Sequence, residues 1–198
     1  MHASLLLVVL ATIGRTVGDP ETQKAVFAGG CFWGVDAVFR HVQGVVGVVS
    51  GYAGGSAGTA QYDIVSTGTT GHAEAVEITF DPQQISYAKL LEVFFTVAHD
   101  PTQLNRQGPD IGTQYRSAIF HVDDAQRQAA RGFIERLTRA NAFAAPIVTE
   151  VVPLETFYPA EAYHQDYLAH HLTQPYIVYN DLPKLERLKD RFPALYRP

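Results

Sequence analysis

The stretch KAVFAGGCFWGVDAVFRHV, Lys24 to Val42, carries two periodicities back to back. KAVFAG is a short β-rich run that ends in the pair Gly29-Gly30, and behind it Phe32, Val35, Phe39 and Val42 recur close to helical spacing. It reads as strand, tight turn, helix. The turn holds Cys31 and Trp33, the single cysteine and the single tryptophan of the chain.

Outward from that unit, Val45 to Tyr52 is β-branched but punctuated by glycine, which predicts a strand opening into a loop that continues through Gly71. In HAEAVEITFD, His72 to Asp81, apolar Val76, Ile78 and Phe80 alternate with polar Glu77 and Thr79, the period of a half-buried strand. Ser86 suits the N-cap of a helix with Tyr87, Leu90, Leu91, Phe94 and Phe95 on its inner stripe, closing near His99. A polar loop leads to a strand over Ser117 to Val122. Asp123 can cap a long helix to about Ala142, Ile147 to Pro153 is another strand, and LPKLERLKDRF predicts a short amphipathic helix. The order is α+β in one domain, with no internal repeat and no Gly/Ser linker.

Composition narrows the function. The apolar fraction of 46% supports a core, while a formal charge of −5 without any Lys/Arg run argues against nucleic acid or an anionic membrane surface as partner. LLLVVLATIG, Leu5 to Gly14, is an uncharged run too short to span a bilayer; it is similar to the apolar part of a secretory signal, so residues 1–22 read as a leader and export to the periplasm or medium is expected, the alternative being a cytoplasmic protein. One cysteine makes no intramolecular disulfide, and the histidines show no metal-binding spacing.

A lone cysteine is most simply an inert buried thiol. Here it falls where a strand turns into a helix, so the N–H groups of the first turn and the helix dipole predict easier ionisation, and Gly29 and Gly30 permit the turn and leave the sulfur open. Adjacent helical residues point about 100° apart, so Phe32 and Trp33 do not both face the core. One aromatic wall beside a nucleophile suits a substrate with a methyl group on a polarizable sulfur.

With these residues in view, GCFWG resembles the active-site motif of the peptide methionine sulfoxide reductase family, the A class acting on the S epimer. QYDIVSTGTTGHAEAVEITFDP (Gln61 to Pro82), DIGTQYRSAIF and YPAEAYHQDYL are similar to three further blocks of that family, in the same order. The resemblance implies a ferredoxin-like α/β sandwich with long loops, residues 23–198 forming one monomeric catalytic domain. It implies Cys31 as the nucleophile that becomes a sulfenic acid, and Glu74 as the proton donor to the sulfoxide oxygen. Tyr62 and Tyr115 would hydrogen-bond that oxygen, Phe32 and Trp33 would hold the methyl group, and Asp110 would line the pocket toward the substrate backbone, with Gly29 and Gly30 beside it. His164 and Tyr163 match a motif near the pocket for which packing is an equal reading. No bound cofactor or metal is implied. DLPKLERLKDRFPALYRP lacks the resolving cysteines of many family members, so the recycling thiol comes from outside, from a thioredoxin- or glutaredoxin-like protein or a small thiol. Competing readings are a thiol peroxidase or a hydrolase using Cys31 with His72 or His164, and a non-catalytic binder of oxidised methionine.

Overall fold

The computed structural model describes residues 21–198; the leader expected over residues 1–22 lies almost wholly outside them. Strand β1 (Gln23–Gly29) runs into helix α1 (Phe32–Arg40), and β2 (Val45–Ala53) follows. After a short helix α2 (Tyr62–Val65) come β3 (Ala73–Phe80) and α3 (Tyr87–Val93), which continues as one π-helical turn over Phe94–Ala98. A small hairpin, β4 (Arg106–Gln107) and β5 (Asp110–Ile111), precedes β6 (Ser117–His121), α4 (Asp124–Arg139) and β7 (Glu150–Pro153). Last come β8 (Phe157–Pro159), α5 (Tyr167–His170), a π turn at Ile177–Asp181 and α6 (Leu182–Arg191).

The strands order as β7-β6-β1-β3-β2-β8. Within that sheet β1, α1, β2, β3, α3 and β6 form a βαββαβ unit whose strands are antiparallel in the order β6-β1-β3-β2, the ferredoxin-like arrangement. β7 extends it in parallel beside β6, with α4 as the crossover, and β8 extends it antiparallel beside β2. The α+β expectation and its ferredoxin-like core therefore hold.

Strand parity sorts the two faces. Phe27, Val76, Ile78, Phe80 and Ile119 point into a core with Phe39, Leu90, Leu91 and Phe94 from the helices, and the Phe27 ring stacks on Phe94 at 4.8 Å between centroids. The reverse face is lined by small residues, Ala28, Ala53, Ala73, Ala75 and Ala118, under Phe120, Leu154 and Phe157. The predicted caps are in place, Ser86 Oγ accepting from the Lys89 N–H and Asp123 Oδ1 from the Gln126 N–H.

Three expectations shift. The loop after β2 contains the helical turn α2, the polar loop after His99 contains the β4–β5 hairpin, and the seventh strand begins at Glu150 instead of Ile147. β8 was not anticipated; its three residues make a strand only because the β2 edge is there to pair with, over Gly51↔Pro159 to Ala53↔Phe157. Beyond it, the Gln165 carboxamide takes the place of a further strand residue, accepting from the Ser50 N–H and donating to the Ser50 carbonyl, both at 2.9 Å.

Candidate active site

Cys31 sits at the N-cap of α1, 8% exposed, at the end of the β1 turn where Gly30 has φ +91°. That φ requires glycine. The glycines do not open the sulfur to solvent as expected, because the space a Cβ would fill is already taken: at Gly30 by the Gln107 side chain at 2.5 Å, and at Gly29 by His99 at 2.9 Å. They allow those side chains to close over the turn.

Glu74 arrives from β3. Its parity with Val76 and Ile78 turns it to the helix face, opposite Tyr52 on β2 and beneath the first turn of α1, where the Phe32 N–H donates to its Oε2 at 3.1 Å. Only 2% exposed, its carboxyl is pushed up to about 8 by burial, reinforced by Asp110 and opposed by the Phe32 amide. It holds a proton at neutral pH. The Cys31 thiol is also pushed up, by burial first and then by Glu74, Asp181 and Asp110, while the Trp33 amide at the helix end pulls the other way and is outweighed. The expectation of an easily ionised thiol is thus reversed in the resting site: one helix end does not offset dehydration plus three acidic neighbours.

Tyr62 begins α2 and Tyr115 ends the turn before β6, and two anchors bring these distant segments together. Gln114 donates to the Ser66 carbonyl at 3.1 Å and Thr113 to the Gly68 carbonyl at 2.8 Å, tying the two loops to each other. Glu161, a residue the sequence reading passed over inside YPAEAYHQDYL, accepts from the Tyr62 N–H at 2.9 Å and the Tyr52 hydroxyl at 2.8 Å. Both phenols are half-buried and held above their ordinary pKa by burial and then by Glu74, so they remain donors.

Of the aromatic pair, Phe32 is the buried one, against Tyr52 and His164, and Trp33 is partly exposed. The indole is fixed on three sides: its N–H donates to His164 Nδ1 at 3.1 Å, its face stacks on Tyr167 at 3.8 Å, and Tyr176 meets it edge-on at 6.0 Å. Tyr176 also donates to Asp110 Oδ2 at 2.5 Å, so the Asp110 hairpin and the Trp33 wall are joined through one phenol. Tyr167 and Tyr176 belong to a segment without a periodic signature, and only its fold-back onto α1 reveals them. His164 is 1% exposed and committed to the indole, whereas Tyr163 is 60% exposed and merely packs on the His164 ring.

Gly34, the second glycine of GCFWG, is a notch. A Cβ there would lie 2.8 Å from the Asp181 carboxyl carbon and closer still to its Oδ1 and to Lys184 Nζ, an ion pair buried against α1. Gly34→Ala is expected to destabilise the fold by about 1–3 kcal/mol, since the fully buried Asp181 carboxylate must shift and its ion pair with Lys184 must rearrange to admit the methyl group. Urea denaturation checks this; an unchanged midpoint would show that the C-terminal segment docks loosely.

A hydrolase needs a histidine on the thiol. His72 is bonded to Gly55 and Ser56, His99 to Phe94 and Ser117, and His164 to Trp33; none of the three bonds Cys31. What surrounds the sulfur is a proton-bearing carboxyl, two phenols and an aromatic wall, the equipment of a cysteine oxidoreductase that delivers a proton to a bound oxygen.

Comparison with known proteins is specific. Residues 23–195 match the family model of peptide methionine sulfoxide reductase. The protein named peptide methionine sulfoxide reductase MsrA 2 of Mesorhizobium japonicum is 59% identical over 177 residues, covering 89% of this chain and 91% of that protein, and the one of the same name from Synechocystis is 52% identical over 86% of this chain and 80% of that protein. Among solved structures, methionine sulfoxide reductase A of Corynebacterium diphtheriae superposes with a TM-score of 0.73 at 38% identity, over 83% of this chain and 82% of that one. Reduced Mxr1 of Saccharomyces cerevisiae gives 0.72 at 33%, over 79% and 90%. The chain belongs to the peptide methionine sulfoxide reductase family.

Proposed function

We propose that the protein reduces the S epimer of methionine sulfoxide, protein-bound or free, to methionine by the chemistry of Cys31, and that an external thiol restores the enzyme. The observation that carries the reading is the buried pair of Cys31 and a Glu74 carboxyl that keeps its proton near neutral pH.

The sulfoxide oxygen enters toward Glu74, Tyr62 and Tyr115, with the methyl group against Phe32 and Trp33. Glu74 protonates the oxygen, which makes the sulfoxide sulfur electrophilic, and the vacated carboxylate accepts the thiol proton as Cys31 attacks. The oxygen passes to the cysteine sulfur, methionine leaves with its sulfur reduced, and Cys31 is left as a sulfenic acid; thiol plus sulfoxide has become sulfenic acid plus thioether. Asp110 and its Tyr176 partner border the opening, where a substrate backbone would pass. His164 acts through the indole it holds.

With one cysteine in the chain, the sulfenic acid is resolved by an incoming thiol, which forms a mixed disulfide and releases water; a second thiol then frees Cys31. A thioredoxin- or glutaredoxin-like protein or a small thiol would serve. The leader-like run at Leu5 to Gly14 supports export as the setting, in which case that reductant works outside the cytoplasm.

The test is turnover of the separated R and S epimers of a methionine sulfoxide peptide with dithiothreitol. Selective loss of the S epimer is expected, and equal reduction of both, or none of S, would overturn the assignment.

A further inference from the structure

Two hollows on the surface lie side by side. The first, about 260 Å3, reaches Cys31 and is walled by Gln107, Asp110, Asn180 and Lys184. The second is about 540 Å3, has Phe95, Leu137 and Phe143 as its apolar floor and carries Arg187 and Arg191 at its rim. His99, Asp100 and Arg187 line both, so the two hollows adjoin, and a chain emerging from the first comes to lie over the second.

We propose that this second hollow seats the polypeptide that flanks the oxidised methionine and selects for acidic segments. The inference rests on the reductase reading and adds a subsite to it. A free amino acid or a small thiol needs only the first cavity. A methionine within a polypeptide enters with its backbone outside the chamber, and an extended chain advances roughly 3.3 Å per residue, so residues a few positions away lie over the neighbouring surface.

The chemistry of the groove sets the preference. Its floor is rigid, Phe95 being 1% exposed and stacked on Phe133 at 5.5 Å, and suits an apolar side chain. Its charges do not cancel. Among the described residues Asp100 is the one acid that lines it, and both its carboxylate oxygens are already engaged, by Thr102 and Gln103. Arg187 uses one N–H on the Val97 carbonyl at 3.2 Å, and Arg191 has no ion-pair partner among the described residues. His99 is neutral, its pKa lowered to about 4 by burial. Two guanidiniums against one satisfied carboxylate, in a chain of net charge −5, mark this groove for an acidic partner.

The experiment compares three substrates with dithiothreitol as reductant: a peptide of methionine S-sulfoxide with glutamates roughly three to five positions from it, its lysine counterpart, and N-acetyl-methionine S-sulfoxide. The unmodified protein should prefer the acidic peptide about fivefold in kcat/KM at low salt. Arg191→Glu should reverse that preference, and Phe143→Ala should raise KM for both peptides while the N-acetyl compound turns over as before. An absence of charge preference, or an equal loss on all three substrates, would overturn the proposal. So would an effect that emerges only when a protein reductant replaces dithiothreitol, since the groove would then be the reductant's dock. Failure of the unmodified protein on the N-acetyl compound itself would remove the reductase reading, and the groove with it.

Discussion

Replacing Cys31 with serine is expected to lower turnover of the S epimer by at least about 10⁴-fold, because a hydroxyl is a far weaker nucleophile and the site has no second thiol to take over. The fold should survive, since the exchange alters one buried atom. A companion measurement separates chemistry from binding: mixed with excess sulfoxide and no reductant, the unmodified protein should release one methionine per chain and gain one oxygen atom at Cys31. Release of several methionines per chain, or turnover by the serine variant within about a hundredfold of the original, would remove Cys31 from the central role.

Glu74→Gln comes next in size, with an expected fall in kcat of about 10²- to 10⁴-fold, the usual range for loss of a placed proton donor. Its pH profile is the sharper readout. The carboxyl must be protonated to act, so activity of the unmodified protein should decline as pH rises through about 8. In the glutamine variant that limb disappears and the residual rate should climb with pH, as the thiol, held high by its surroundings, begins to ionise. Stability moves with the same proton. Because the folded state raises the carboxyl from 4.5 to about 8, its contribution is full below 4.5 and is lost as pH rises to about 8; the unfolded chain binds fewer protons across that window. Glu74→Gln should flatten the decline, as urea titrations between those limits would show. A glutamine variant that keeps the basic limb would assign it to another group.

The single assumption shared by both predictions, a thiol and an acid facing one another, was legible in part. Parity along HAEAVEITF puts Glu74 on the same side as Val76, Ile78 and Phe80, so a strand with that pattern buries its carboxyl wherever the strand ends up. The glycine pair and the helical spacing after Cys31 similarly placed the sulfur at a helix start. The four motif blocks then joined the two, although Glu74 is 43 positions away from Cys31. None of this reached the partners that act from farther off. Glu161 pins Tyr62 and Tyr52, Tyr176 bridges Asp110 to the indole, and Asp181 with Lys184 fits the Gly34 notch. Each lies in the segment after β7, whose short strands and turns exist only as edges and fillers for elements formed earlier in the chain.

By itself, the sequence determined the strand–turn–helix that carries Cys31, the βαββαβ order and the helix caps at Ser86 and Asp123, and its single cysteine is what motivates the proposal of an outside thiol. These follow from patterns spanning a few turns or strands, where covalent spacing alone decides which face a residue occupies. Only the tertiary structure decided the state of the thiol. The helix end favours its ionisation locally, but dehydration and the charges of Glu74, Asp181 and Asp110 act through space, and those groups converge from three separate elements. Protonation at this site is a property of the packed assembly, which is why a local reading of the turn predicted the opposite sign.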